Sequence, residues 1–200
     1  WVVSLARGMA DAARDLGVYV CGGNLTRGPL NIAVSAHGEI EHQCLLRRSG
    51  GQAGQQLSVT GRLGAAAACV RTGQMLPVDP AVLTPVQSAY YRPQARFDVL
   101  AMVETASAGL DISDGLSQDL AHLCAASGCG AALQAASIPL AAGATLEDAL
   151  FGGDDYELLV ASDKPLPGAH TIGMLTAEPG LTLDGAPLAS NGFDHFGTDQ

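Results

Sequence analysis

Lysine is almost missing from this 200-residue chain: Lys164 stands beside nine arginines and twenty acidic residues, for a net charge of −10. A nucleic-acid surface needs a basic footprint, and there is little material here for one. Lys164 sits in a Ser-Asp-Lys-Pro turn, and no Gly-x₄-Gly-Lys-Ser/Thr occurs, which removes P-loop phosphate binding and lysine Schiff-base chemistry. Gly-x-Ser-x-Gly and His-Glu-x-x-His are also missing, so serine-hydrolase and zincin chemistry have no support. Aromatic residues make up only 4% against 48% apolar ones, a balance that suits closely packed α/β layers better than an aromatic binding surface. The unbroken apolar or glycine run Gly64–Val70 is far short of the ~20 residues that span a bilayer. No signal peptide is legible. The five cysteines (21, 44, 69, 124 and 129) form neither an even set nor a Cys-x-x-Cys pair, which fits reduced, structural thiols and a cytoplasmic setting. Five scattered histidines (37, 42, 122, 170 and 195) read as surface or hydrogen-bonded residues.

What is present centres on Leu110–Leu120, Leu-Asp-Ile-Ser-Asp-Gly-Leu-Ser-Gln-Asp-Leu. A short apolar lead-in carries Asp111 and Asp114; Gly115 follows, and Leu116, Leu120 and Leu123 then share one helix face. With Gly109–Ile112 as a strand, both carboxylates fall at a strand-to-helix handover. In open α/β folds ligands bind there, and a helix N-terminus offers free N–H groups to an anion. Two close carboxylates repel such a ligand unless a cation intervenes, which points to Mg²⁺ with a phosphate compound. The same residues equally describe an Asp N-cap with a solvated neighbour.

Elsewhere, Val2–Leu16 reads as an amphipathic helix ended by Gly17. The chain opens on Trp1 with helical periodicity already running and no capping residue before it, so sequence is expected upstream. Val18–Cys21 and the alternating Leu30–Ala36 read as strands, as do Leu57–Thr60, Ala131–Leu133, Tyr156–Ala161, Thr171–Leu175 and Leu181–Leu183. Helices are expected at Leu63–Val70, Gln94–Val103 after Pro93, and Leu116–Ser127 before Gly128, with a helical turn at Leu146–Leu150. Pro77, Pro80 and Pro85 suggest an irregular connection. Alternating elements give an α/β or α+β fold.

Three further stretches carry chemistry-bearing residues. Gly22-Gly-Asn-Leu-Thr-Arg-Gly follows a strand and lets a ligand approach the backbone, with Arg27 or Arg48 available to fork phosphate oxygens; an ordinary glycine turn fits as well. Gly152-Gly-Asp-Asp-Tyr-Glu sets three acids around a bend, either a site or a solvated loop. Phe193 and His195 either stack on a flat ring or plug the terminus.

In order along the chain, Asp111-Ile-Ser-Asp-Gly-Leu, Gly152-Gly-Asp-Asp-Tyr-Glu-Leu-Leu and Gly192-Phe-Asp-His-Phe closely resemble the thiamine-monophosphate kinase family. Gly22-Gly-Asn-Leu-Thr-Arg-Gly-Pro-Leu and Arg48-Ser-Gly fall in that family's order too. The resemblance spans essentially the whole chain but only the C-terminal two thirds of a typical member. It implies the aminoimidazole ribonucleotide synthetase-like fold, with residues 1–42 as the end of an N-terminal ATP-binding domain and 43–200 as the C-terminal α/β domain. It implies transfer of the ATP γ-phosphoryl to thiamine monophosphate with Mg²⁺, in a cytoplasmic homodimer whose core is the N-terminal domain, without nucleic acid or membrane. By the same resemblance Asp111 and Asp114 are magnesium ligands, Gly23, Asn24, Arg48 and Ser113 are ATP contacts, and Asp154 and Phe193 touch the thiamine substrate; no residue acts as a chemical catalyst. Asn24 replaces an expected magnesium-binding Asp and supplies an amide oxygen without charge, which weakens that site. The family's upstream Gly-Asp-Asp and Ser-Thr-Asp segments are not in this sequence, so the chain alone is expected to be inactive. The alternatives are a sister enzyme of hydrogenase maturation or selenophosphate synthesis, and a non-catalytic binder of nucleotide or thiamine phosphate.

Overall fold

The computed structural model describes residues 1–75, 79, 81–99 and 104–193, the side chain of Gln43 excepted. The chain divides into two compact units, Trp1–Ile40 and Glu41–Gln200.

In the first unit, helix α1 (Val2–Leu16) ends on Gly17, whose left-handed conformation lets its N–H bond back to the helix; Trp1 makes no side-chain cap. Neither Val18–Cys21 nor Leu30–Ala36 forms the expected strand. Leu30, Ile32 and Val34 alternate as a half-buried strand should, yet all three are largely exposed. Alternation makes a strand only where a partner supplies the hydrogen bonds, and no described residue does so.

The second unit is a seven-stranded sheet in the order β2-β4-β1-β5-β3-β6-β7. Its strands are β1 (Gln56–Thr60), β2 (Ala108–Asp111), β3 (Gly130–Leu133), β4 (Leu158–Ser162), β5 (Ala169–Thr176), β6 (Leu181–Leu183) and β7 (Ala186–Pro187). All neighbours pair antiparallel except β3 and β6. This is the mixed α/β class expected, but the handover at Asp111 lies on an edge strand of a mostly antiparallel sheet. Helix α4 (Leu116–Ser127) packs on β2 and β3, and helix α5 (Leu146–Phe151) packs on α4 and on helix α2 (Ala65–Arg71). Leu116, Leu120 and Leu123 are fully buried against Leu57, Val59, Leu159 and Ile172. Each such side chain stabilises the fold by about 1.5–3 kcal/mol, which anchors the helix that carries the site. Gly128, left-handed, ends α4 where the sequence placed its stop.

The proline-rich stretch departs from expectation. Pro85 starts helix α3 (Pro85–Tyr91) rather than breaking the chain, because Pro is tolerated at the first helical position and Thr84 with Gln87 completes a capping box. After it Phe97–Val99 forms a single 3₁₀ turn where a helix over Gln94–Val103 was expected; residues 100–103, like Pro77 and Pro80, lie outside the described residues. No helix among the described residues is long and apolar enough to cross a membrane.

Candidate functional site

The Asp111–Gly115 loop is gripped from three sides. On one side the Ile112 N–H donates to the Glu157 carbonyl and the Tyr156 N–H to the Ile112 carbonyl, both at 2.8 Å, and the Asp154 N–H donates to the Ser113 carbonyl at 2.9 Å. On another, the Phe193 N–H donates to the Asp114 carbonyl at 3.0 Å, while Ser117 Oγ donates to the Asn191 carbonyl and Gln118 Nε2 to that of Phe193. The third grip comes from within α4. Asp119, only 2% exposed, accepts on Oδ2 the N–H groups of Ser113, Asp114 and Gly115 at 3.0, 3.0 and 3.2 Å. Burial pushes the Asp119 carboxyl up, opposed by these backbone bonds.

That third grip narrows one expectation. The N–H groups of Ser113, Asp114 and Gly115, just ahead of the helix, are taken by the protein's own carboxylate and are not open to an anionic ligand.

Two glycines make the clasp possible. A Cβ on Gly153 would lie 2.4 Å from the Ser113 carbonyl oxygen, and one on Gly192 the same distance from that of Asp114. In both places the glycine lets the chain lie flat against a carbonyl, and the next residue's N–H bonds to it. The Gly153–Glu157 segment is bent rather than extended: Asp154 and Tyr156 have φ of 64° and 51°. Non-glycine residues held left-handed cluster where surrounding structure overdetermines them, as at functional sites. Strand β4 therefore begins at Leu158, two residues later than the alternation predicted.

The bend sorts the acids. Asp154 is exposed and accepts the Tyr156 hydroxyl at 3.0 Å. Burial pushes the Tyr156 phenol up, and the hydrogen bond to Asp154 and the charges of Asp154, Asp111 and Asp114 push it further. Asp155 turns away and accepts the Gly64 N–H at 2.9 and 3.0 Å, at the start of α2; burial pushes its carboxyl up to about 7. Glu157 also turns away, to Thr60 Oγ1 and the Arg96 guanidinium.

The structure thus brings Asp111, Ser113, Asp114, Asp154 and Phe193 into one cluster. It does not bring Arg48 there: its carbonyl accepts Ser127 Oγ at 2.9 Å, at the far end of the 12-residue α4, on the order of 18 Å along the helix from its start. Gly23 and Asn24 belong to the first unit, where Asn24 Oδ1 accepts the Leu25 N–H. His195 lies outside the described residues. Sequence reasoning missed Asp119, the two close-packed glycines and Tyr156. For Asp119 a signal existed: an acid early in a helix whose cap position is glycine can reach back to the N–H groups ahead of it.

Among the described residues no three His, Cys, Asp or Glu side chains converge to hold a metal by themselves. Mg²⁺ asks for less, one or two carboxylates completed by phosphate oxygens and water, and the exposed Asp111 with Asp114 offers that.

A mostly antiparallel sheet with helices packed in this way has a counterpart among solved proteins. HypE of Escherichia coli, a hydrogenase maturation protein, superposes with a TM-score of 0.56 over 74% of this chain and 52% of its own, at 18% identity. The fold is that of the aminoimidazole ribonucleotide synthetase-like proteins. Closer relatives narrow the class. A solved structure described as AaThiL complexed with AMPPCP and TMP superposes with a TM-score of 0.68 and 29% identity, over 76% of this chain and 54% of that one. Thiamine-monophosphate kinase of E. coli strain K12 is 30% identical over 99% of this chain and 70% of its own length. The chain belongs to the thiamine-monophosphate kinase family, a family of phosphotransferases. No protein-family model matches it.

Proposed function

We propose that the protein transfers the γ-phosphoryl of ATP to the phosphate of thiamine monophosphate, giving thiamine diphosphate, and that the cluster around Asp111 is its phosphoryl-transfer site. The observation that carries this is the three-way clasp: segments around 112, 154 and 193 are tied together by backbone hydrogen bonds in a loop that bears Asp111, Asp114 and Asp154. The relative solved with AMPPCP, an ATP analogue, and TMP supports the substrate pair.

In this reading Asp111 and Asp114 hold Mg²⁺, which when bound neutralises the phosphate charge that these acids would otherwise repel. Ser113 contacts the nucleotide; Gly23 and Asn24 of the first unit, and Arg48 away from the Asp111 cluster, are nucleotide contacts only by the family resemblance, and there Asn24 would offer a metal an uncharged oxygen. Asp154 and Phe193 meet the thiamine moiety, a cationic ring system suited to a carboxylate beside an aromatic face. The attacking phosphate oxygen is already ionised, so no side chain has to remove a proton. The residues' work is alignment of two anions and charge compensation. Residues 1–42 belong to the ATP-binding domain of a cytoplasmic homodimer.

The test is thiamine diphosphate formation by the whole protein from ATP, Mg²⁺ and thiamine monophosphate, beside its Asp111→Asn and Asp114→Asn variants. Product from the parent and a loss of at least 100-fold in either variant is expected. ATP consumption indifferent to thiamine monophosphate would overturn the assignment and favour a sister enzyme of the fold.

A further inference from the structure

We propose that Asp119 is the positioning residue of this site: its buried carboxylate fixes the Ser113–Gly115 backbone so that the loop can receive the Asp154 and Phe193 segments. The role rests on the phosphoryl-transfer reading only in giving Asp114 and Ser113 their ligands.

Three successive N–H groups converging on one oxygen form a concavity that elsewhere in proteins holds an anion such as phosphate. Here that anion is internal. Asp119 Oδ2 takes all three, Oδ1 lies 3.9 Å from His122 Nδ1, and the side chain is buried, so this carboxylate is spent on the protein's own backbone. With its N–H groups fixed, the loop has its carbonyls fixed as well. Those of Ser113 and Asp114 are the ones that accept Asp154 and Phe193. One side chain therefore sets the register of all three segments, and it does so with charge. A neutral amide would accept more weakly and would turn an NH₂ toward some of the donors.

Backbone amide hydrogen exchange on Asp119→Asn tests this directly. Expected is exchange at least tenfold faster at Ser113, Asp114 and Gly115, and equally at Asp154 and Phe193, while Val59 and Leu159 in the centre of the sheet keep their protection. Asp119→Glu, which keeps the charge on a longer arm, behaves like Asn if geometry as well as charge is needed. Unchanged rates at Asp154 and Phe193, or a uniform rise across the sheet, would each overturn the proposal, whereas protection restored by Glu supports it. Should both variants fail to fold, the parent protein decides: across a denaturant series the amides of 113–115, 154 and 193 open together if Asp119 governs them, and separately if it does not. In the kinase assay Asp119→Asn raises the Mg²⁺ needed for half-maximal rate at least tenfold. A parent that makes no thiamine diphosphate counts against the assigned reaction, and the exchange measurements still decide the role of Asp119.

Discussion

Replacing Gly153 by Ala separates packing at the clasp from stability of the fold. The added Cβ would stand 2.4 Å from the Ser113 carbonyl oxygen, 1.0 Å inside the 3.4 Å at which ordinary contact begins. The obstacle is backbone on a loop already held by Asp119, so the 153–155 segment has to move by about that 1 Å. Moving it lengthens the Asp154 N–H to Ser113 bond from 2.9 Å to roughly 3.9 Å, beyond hydrogen-bonding range. The lost bond costs about 1 kcal/mol and the residual crowding about 1–3 kcal/mol more, so unfolding in urea should show a loss of about 2–4 kcal/mol. The effect on chemistry is larger in proportion. A misplacement of ~1 Å at a positioning group costs on the order of 100-fold in rate, so kcat/KM for thiamine monophosphate should fall by about that factor. Gly38→Ala serves as control, since nothing lies within 4 Å of its added carbon. A Gly153→Ala enzyme within twofold of the parent in kcat/KM, and within 0.5 kcal/mol in stability (about the scatter of a neutral surface change), would refute the close-packing account.

Gly192→Ala meets the Asp114 carbonyl at the same 2.4 Å and should likewise depress kcat/KM, this time with a rise in KM for the thiamine substrate, measured by initial rates. The Arg71 guanidinium and then the Thr145 cap hold the buried Asp148 carboxyl down at about 2, so its stabilisation is present above the unfolded value of ~3.9 and is lost as pH falls through 2. Asp148→Asn should therefore cost about 1–2 kcal/mol at pH 7, allowing for the exposure of Arg71, and almost nothing at pH 2, by denaturation at both pH values. Asp155 runs the other way: its carboxyl is raised to about 7, so stability present below ~3.9 is lost as pH rises toward 7. Thermal unfolding of the parent should weaken over that window, and Asp155→Asn should flatten the decline. Asn24→Asp in the whole protein should lower the Mg²⁺ concentration needed for activity several-fold; an unchanged requirement would show that Asn24 does not limit metal binding.

The parts of the molecule legible in its sequence were those fixed by local pattern. Helix α4 and its glycine stop, the Asp184-Gly185 turn between β6 and β7, and the strands at 57–60 and 181–183 follow from periodicity and turn chemistry at hand in each segment. Leu30–Ala36 misled because alternation records what a strand could bury, while its formation depends on a partner elsewhere in the chain. Pro85 misled because the same residue starts and stops helices, and only Thr84 and Gln87 decide which. At the site, the acids were visible as residue types, and their order suggested the family. Asp119 looked like any polar residue on a helix. Its role depends on a glycine cap leaving three N–H groups within its reach. Gly153 read as part of a bend and Gly192 only as part of a terminal motif, whereas both matter for closeness to a carbonyl that only the tertiary fold brings up.

The clasp has a consequence for when the protein becomes competent. Its bonds join residues far apart along the chain, 74 positions in the case of Ser117 and Asn191. Closing loops of that length costs entropy before any contact returns it. A refolding chain should therefore regain its helices and central strands first and the Asp111–Gly115 loop last, with a silent interval between the two. A nick between β7 and Asn191 would act as a functional switch of the same kind, leaving the sheet intact while releasing the last strap across the loop.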